Sequence, residues 1–304
     1  MPLAQNENTL SESLPEMQII KDYAAHRNTF LGFREEPFSN TPDPDFFFMS
    51  RAHREALVSL LFGIQERRGF CAVAGEIGSG KTTLVRQLLR LLPPAVKTAV
   101  ILNPKVSASS LLAEIARDFG IQGRMHTKAE CFDRLNRFLL DGLATGQNAV
   151  ILIDEAQWLT ARVLDELRML SNLETVKQKL LQIVLIGQPE LKGILKRSAL
   201  LQLRQRLSVF LELQGLGAEE MRAYVRHRLE RASLAECKVT FDEDVLAEVY
   251  TASRGIPRLI NSLCDRLLMA AFFSGETRIH AGLAGRALEE MRFITAPERC
   301  LETA

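Results

Sequence analysis

Apolar residues recur along this chain in two alternating periods. Ala52, Ala56, Leu57, Leu60, Leu61 and Ile64 fall three and four apart, which predicts a helix over 50–67. The next apolar run, 69–74, is short and unbroken, as in a strand buried on both faces. Residues 83–92 return to helical composition and stop at Pro93-Pro94. The alternation then continues. Strand 98–102 ends at Asn103-Pro104, helix 109–119 ends at Gly120, and helix 129–143 precedes strand 149–153. Helix 160–171, strand 181–186, a helical stretch over 189–205 and strand 207–213 complete the series. Five apolar strands alternating with helices predict an α/β fold whose parallel, doubly wound sheet is covered on both faces. Gly215-Leu216-Gly217 marks a boundary, beyond which only helices are expected, at 218–231, 242–252, 257–272 and 280–291.

Outside these periods the chain is less regular. Residues 1–28 read as a flexible arm with a short helix around 17–25, and 293–304 as a tail. The core domain is expected over 29–214 and a small all-helical lid over 215–292. Residues 30–50 carry Pro37, Pro42, Pro44 and the run Phe46-Phe47-Phe48. The prolines forbid long regular structure while the aromatics demand burial. This segment is expected to strap across the core; the alternative is docking beside a nucleotide base or a neighbouring subunit.

Composition narrows the class. Of 304 residues, 47% are hydrophobic and 25% charged, as in an ordinary globular protein. The net charge of +1 gives no global attraction to nucleic acid or anionic membrane. Cys71, Cys131, Cys237, Cys264 and Cys300 are far apart, without a C-x-x-C pair, so reduced thiols are expected, with Cys71 and Cys264 packed as small hydrophobes. The five histidines are equally scattered, with no metal-binding spacing. No apolar run reaches the roughly 18 residues of a membrane span, and no signal-peptide layout opens the chain. A cytoplasmic protein without a direct membrane span is the expectation.

The chemistry is concentrated in a few motifs. Gly75-Glu76-Ile77-Gly78-Ser79-Gly80-Lys81-Thr82 follows the buried run and opens a helix, the context a phosphate loop requires. Its glycines let backbone N–H groups surround phosphate oxygens, Lys81 can reach the outer phosphates, and the Thr82 hydroxyl can ligate Mg²⁺, with Thr83 behind it. Val150-Ile151-Leu152-Ile153 delivers Asp154 and Glu155 to the end of a strand. Asp154 is placed to hold Mg²⁺ and Glu155 to orient and deprotonate water, which argues for ATP hydrolysis rather than transfer to a small molecule. Arg204-Gln205-Arg206 precedes the last strand, and either arginine can serve a phosphate held by an adjacent subunit. Gly255-Ile256-Pro257-Arg258 starts a helix at Pro257, where Arg258 can turn back toward phosphates. Trp158, shortly after the Asp-Glu pair, is expected to be a packing residue, with sensing of the site at a subunit interface as the sharper alternative.

Taken in order, these motifs resemble the AAA+ ATPases, P-loop NTPases with a five-stranded parallel sheet and a helical lid. Further stretches look like the ExeA/GspA (general secretion pathway protein A) family. They are Gly32-Phe33-Arg34-Glu35-Glu36-Pro37-Phe38, His53-Arg54-Glu55-Ala56-Leu57, Leu170-Ser171-Asn172-Leu173-Glu174-Thr175 and Gly187-Gln188-Pro189-Glu190-Leu191. The resemblance implies ATP and Mg²⁺ as cofactors, with Gly75, Gly78, Ser79, Gly80, Lys81, Thr82 and Thr83 around the phosphates. It implies Asp154 and Glu155 as the Walker B pair, Gln188 as sensor 1 and Arg258 as sensor 2. Arg206, with Arg204 as runner-up, matches an arginine finger, which implies a ring or filament of identical subunits. The family's secretion members add a membrane span and a peptidoglycan-binding domain. The chain is expected to be a stand-alone form that reaches the envelope through a membrane-anchored partner.

The leading expectation is thus an assembly motor or switch for an envelope secretion, pilus or exopolysaccharide-export system. The alternative is a DNA-binding ATPase adaptor of the transposon target-selection type. Lys192, Lys196 and Arg197, and the cluster Arg222, Arg226, Arg228 and Arg231, are its candidate phosphate contacts.

Overall fold

The computed structural model of the chain describes residues 25–41, 43–123, 125, 127–235 and 237–295. Residues 1–24 of the arm, all but the last position of the helix expected over 17–25, and the end of the tail lie outside the described residues. The end of the arm is not flexible coil, since 25–31 are helical and Arg27 is buried. Contacts divide the chain into two compact units. One holds Met49–Gly215 and Ile256–Arg258; the other holds the segment up to Phe48, Leu216–Gly255 and the chain from Leu259 onward.

The first unit is built on the expected sheet. Strands β1 (Phe70–Gly75), β2 (Val96–Ile101), β3 (Asn148–Ile153), β4 (Leu181–Gly187) and β5 (Leu207–Leu213) lie in the order β2-β3-β4-β1-β5. Every pairing is parallel, so β1 reads against β4 from Phe70↔Ile183 and against β5 from Phe70↔Leu207. The pleat sends alternate residues to opposite faces. Phe70, Ala72, Ile151, Ile153, Ile183 and Leu185 enter one core, which helices α3 (Ala108–Asp118), α4 (Lys128–Ala144) and α5 (Ala161–Leu170) cover. Cys71, Val73, Val150, Leu152, Val184 and Ile186 enter the other, beneath α1 (Arg51–Gln65) and α2 (Lys81–Leu91). Burial on both faces is why these strands read as continuous apolar runs.

The stretch 189–205 is not one helix. It breaks into α6 (Glu190–Leu195), a 3₁₀ turn (Ser198–Leu200) and α7 (Leu201–Arg204). Leu191, Leu195, Leu200 and Leu203 all reach the same core. The five-residue step from Leu195 to Leu200 would carry Leu200 off that face of a continuous helix.

The second unit contains α8 (Ala218–Ala232), α9 (Glu243–Ser253), α10 (Pro257–Ser274, from Leu259 on) and α11 (Ala281–Thr295). The expectation of helices alone is corrected by two strands, β6 (Thr240–Phe241) and β7 (Arg278–Ile279), paired in parallel. Two residues are too few to carry a period, so the sequence pattern could not show them. Leu31, Phe33, Phe38 and Phe46 are buried among these helices, so the segment expected in the α/β core groups with the helical unit instead. Arg228 anchors it. Its buried guanidinium donates to the Pro37 and Ser39 carbonyls and to the Tyr224 hydroxyl, and lies 4.9 Å from the Phe46 ring centre. The Tyr224 hydroxyl in turn donates to Asn261 Oδ1 at 2.7 Å.

Candidate nucleotide site

Strand β1 ends at Gly75, and the loop that follows is shaped by its glycines. Gly78 (φ +82°) and Gly80 (φ +96°) hold left-handed backbone that side-chain-bearing residues rarely adopt. Space is closed to them as well. A Cβ on Gly78 would lie 2.4 Å from Arg258 Cβ, and one on Gly80 would lie 2.6 Å from His53 Nε2. The Arg258 backbone N–H donates to the Gly78 carbonyl at 3.3 Å.

Helix α2 begins directly after this loop. Ser50, Ser107, Thr127 and Thr160 cap their helices through side-chain oxygens, whereas α2 starts at Gly80 with no side-chain cap. Its first N–H groups and the positive end of its dipole therefore face the loop, an arrangement that suits an anion. Lys81, buried, donates from Nζ to the Gly75 and Glu76 carbonyls at 2.8 and 2.9 Å. Burial lowers its pKa, while Glu155, Asp154, Glu76 and Glu190 pull the other way and favour the ammonium. Ser79 Oγ is buried without a hydrogen-bond partner among the described residues. Thr83 is half-buried in the first turn of α2.

Strand β3 brings the second group of residues to the same edge. The Asp154 N–H donates to the Ile101 carbonyl, which extends the ladder one step past the strand end. Thr82 Oγ1 donates to Asp154 Oδ2 at 3.2 Å, and the Glu155 N–H donates to Oδ1 at 2.8 Å. Burial raises the Asp154 pKa; the Glu155 N–H and the Thr82 hydroxyl oppose the shift, and the Glu155 charge adds to it. Glu155 itself sits in left-handed backbone at φ +52°, a strained turn that costs on the order of 1–2 kcal/mol. Its Oε2 accepts from Gln157 Nε2 at 2.5 Å and from Gln188 Nε2 at 3.2 Å. Gln157 Oε1 accepts from the Gln188 N–H at 3.0 Å, so one amide bridges the ends of β3 and β4.

These residues fit a nucleotide triphosphate. The loop leaves no room for side chains, an uncapped helix start and a buried ammonium meet at it, and an orphaned hydroxyl lies within it. The Thr82 hydroxyl and Asp154 carboxylate are adjacent hard oxygens of the kind that Mg²⁺ takes.

The structure gathers Gly75, Gly78, Ser79, Gly80, Lys81, Thr82, Asp154, Glu155, Gln188 and Arg258 at the end of the strands. Arg204 and Arg206 are elsewhere. Arg206 precedes β5, and its Nη1 donates to Ser171 Oγ at 3.2 Å and to Asn172 Oδ1. Arg204 donates to the Lys196 carbonyl at 3.2 Å. Two further residues, His53 and Gln157, were not singled out for chemistry. His53 stands on the apolar face of α1, three residues before Ala56, and a polar residue on that stripe was the available signal. Gln157 gave none, because the partner that makes it a bridge, the Gln188 N–H, comes from the end of β4. Trp158 is not packed away. It is half-exposed, with the Lys105 ammonium 4.9 Å from its ring centre. The proposed basic cluster is also reduced, since Arg228 is buried, Arg222 pairs with Glu219 and Glu243, and Lys192 pairs with Glu212. None of the described helices is long and apolar enough to cross a membrane.

Fold and site together define a P-loop NTPase fold of the AAA class, and a family model described as an AAA domain matches residues 64–195. Within that class the chain is similar to general secretion pathway protein A. It is 44% identical over 254 residues to the Aeromonas hydrophila protein of that name, a match that covers 83% of this chain. The chain spans 46% of that relative's length. Among solved structures it is similar to Cdc6p from Pyrobaculum aerophilum, with a TM-score of 0.63 at 19% identity, covering 84% of this chain and 70% of that one. The ORC2 protein of Aeropyrum pernix in ADPNP–ADP complexes gives 0.62 at 18% identity, covering 85% and 72%. At such identities the likeness carries the fold alone.

Proposed function

We propose that the chain hydrolyses ATP with Mg²⁺ and works as an oligomeric assembly motor or switch for a bacterial envelope secretion, pilus or exopolysaccharide-export system. The observation that carries the hydrolytic reading is the convergence of two side-chain pairs around buried Lys81. Thr82 with Asp154, and Glu155 with Gln188, meet at one sheet edge. Thr82 and Asp154 would hold Mg²⁺, which when bound supplies positive charge against phosphate oxygens. Lys81 neutralises the outer phosphates, with Arg258 turned toward the loop from the start of α10. Glu155 accepts the proton of the attacking water, and Gln188 fixes the carboxylate that does so. Arg206 serves the nucleotide of an adjacent subunit, with Arg204 as its alternate, so turnover requires a homo-oligomer. The envelope assignment is supported by the similarity to general secretion pathway protein A, and a membrane-anchored partner is part of the same proposal.

Steady-state ATP hydrolysis measured across protein concentration, with and without duplex DNA and Mg²⁺, tests this reading. Turnover is expected to rise cooperatively with concentration, to require Mg²⁺ and to ignore DNA. Glu155→Gln should keep ATP binding and lose roughly a hundredfold or more in turnover. Strong stimulation by DNA that fades with added salt would instead favour the DNA-adaptor reading.

A further inference from the structure

The sheet has a second charged edge. Arg68 precedes β1, Lys179 precedes β4 and Arg206 precedes β5, so parallel strands bring three cations to the strand-start side. They line one cleft of about 400 Å³ together with Ser171, Gln205 and Ser208. No carboxylate lines this cleft; Glu174 is paired with Lys179, and that pairing, with a smaller pull from Arg206, holds it below the usual carboxylate range. Among the described residues Arg206 donates to two neutral acceptors, Ser171 Oγ and Asn172 Oδ1, and also acts on the Glu174 charge. The Arg68 guanidinium is stacked 4.7 Å from the Phe62 ring centre. The backbone is irregular at the same place. The β1–β5 register slips from Phe70↔Leu207 to Cys71↔Val209, and Ser208 is the extra residue. Such bulges re-aim side chains beside functional sites.

This edge cannot serve the chain's own phosphate loop. The six residues of β1 separate them, a span of roughly 20 Å at strand rise. The cations also converge on one small concavity. Duplex DNA would instead call for a track of cations following successive phosphates. We infer that the cleft formed by Arg68, Lys179 and Arg206 receives the terminal phosphates of ATP held by a second copy of this chain, with Arg68 and Lys179 acting beside Arg206. Ser171 and Asn172, directly after α5, are positioning residues that hold the Arg206 fork in the cleft. The inference rests on the reading of Arg206 given above and adds the residues that complete its site.

Complementation between copies tests it. Arg68→Ala and Lys179→Ala should bind ATP as the unaltered protein does, since neither residue touches the phosphate loop. Each should lose about tenfold in turnover, less than the hundredfold typical of a fixed oxyanion donor. Mixing either with Lys81→Ala, whose phosphate loop is disabled and whose strand-start edge is intact, should restore turnover. Arg68→Lys should lose less than Arg68→Ala. Unchanged turnover in Arg68→Ala, or a loss that mixing does not repair, overturns the inference. Arg206→Ala in the same mixture separates the two levels. If it is repaired and Arg68→Ala is not, only the present inference falls; if neither is repaired, the reading of Arg206 falls as well. Loss of duplex DNA binding by Arg68→Ala at unchanged turnover would also overturn it, in favour of a nucleic-acid contact.

Discussion

Asp154 illustrates how a single residue trades stability for chemistry. Its carboxylate is buried, and burial raises its pKa above that of the unfolded chain. The folded state therefore binds the proton more tightly, so this group's contribution to stability falls as pH rises from the unfolded pKa through the folded one. At neutral pH the ionised form is a cost. Asn at this position keeps an acceptor for the Glu155 N–H and presents its amide to the Thr82 oxygen. Asp154→Asn should thus raise nucleotide-free stability at pH 7 by about 1 kcal/mol, a gain typical of relieving an active-site strain. The gain should shrink as pH falls through the carboxyl range, and ATP turnover should collapse. Thermal melts at several pH values check the sign; a variant less stable than the parent at pH 7 would refute it.

At the level of elements, two glycines separate what a loop demands from what a helix tolerates. Gly80 combines φ +96° with a closed neighbourhood against His53. Gly80→Ala should cost about 1–3 kcal/mol, the range of strained backbone, and abolish ATP binding. Gly193 lies inside α6 with nothing within 4 Å of its would-be Cβ. Gly193→Ala should stabilise by about 0.5–1 kcal/mol through the helix preference alone and leave turnover unchanged. Urea midpoints and ATP titrations of the pair read both effects.

On the scale of the whole molecule, the two units are held by different means. The α/β unit buries two apolar layers against one sheet. The helical unit closes over the 31–46 segment, where its buried Arg228 donates to two neutral carbonyls. Arg228→Met removes the donor to the Pro37 and Ser39 carbonyls, each a charge-assisted bond. It should destabilise this unit by about 2–4 kcal/mol. Hydrogen exchange should accelerate over 31–46 and 216–285 while β1, β3 and β4 keep their protection. Uniform acceleration across both units would show that they unfold as one.

How much of this was legible depends on the range of the interactions. The sheet and its strand-end chemistry were readable because the phosphate loop and the Asp154-Glu155 pair are contiguous in sequence, with strand and helix signals on either side. The break inside 189–205 was legible in principle, through the five-residue step between Leu195 and Leu200. The two-residue strands β6 and β7 were not, being shorter than any period. Nor was the placement of 31–46, because a run of phenylalanines states a need for burial without saying against what.

The sequence by itself determined the class of fold, the phosphate loop, the Asp-Glu strand end and the two-part organisation. Local geometry forces these: glycines at positive φ, apolar runs for doubly buried strands, and helical spacing for amphipathic faces. Only the tertiary structure decided that Gln157 joins Glu155 to Gln188, and that His53 closes against Gly80. It also decided that Arg206 shares a cleft with Arg68 and Lys179. Those residues are brought together by parallel strand order, and a parallel sheet makes neighbours of positions more than a hundred residues apart in the chain.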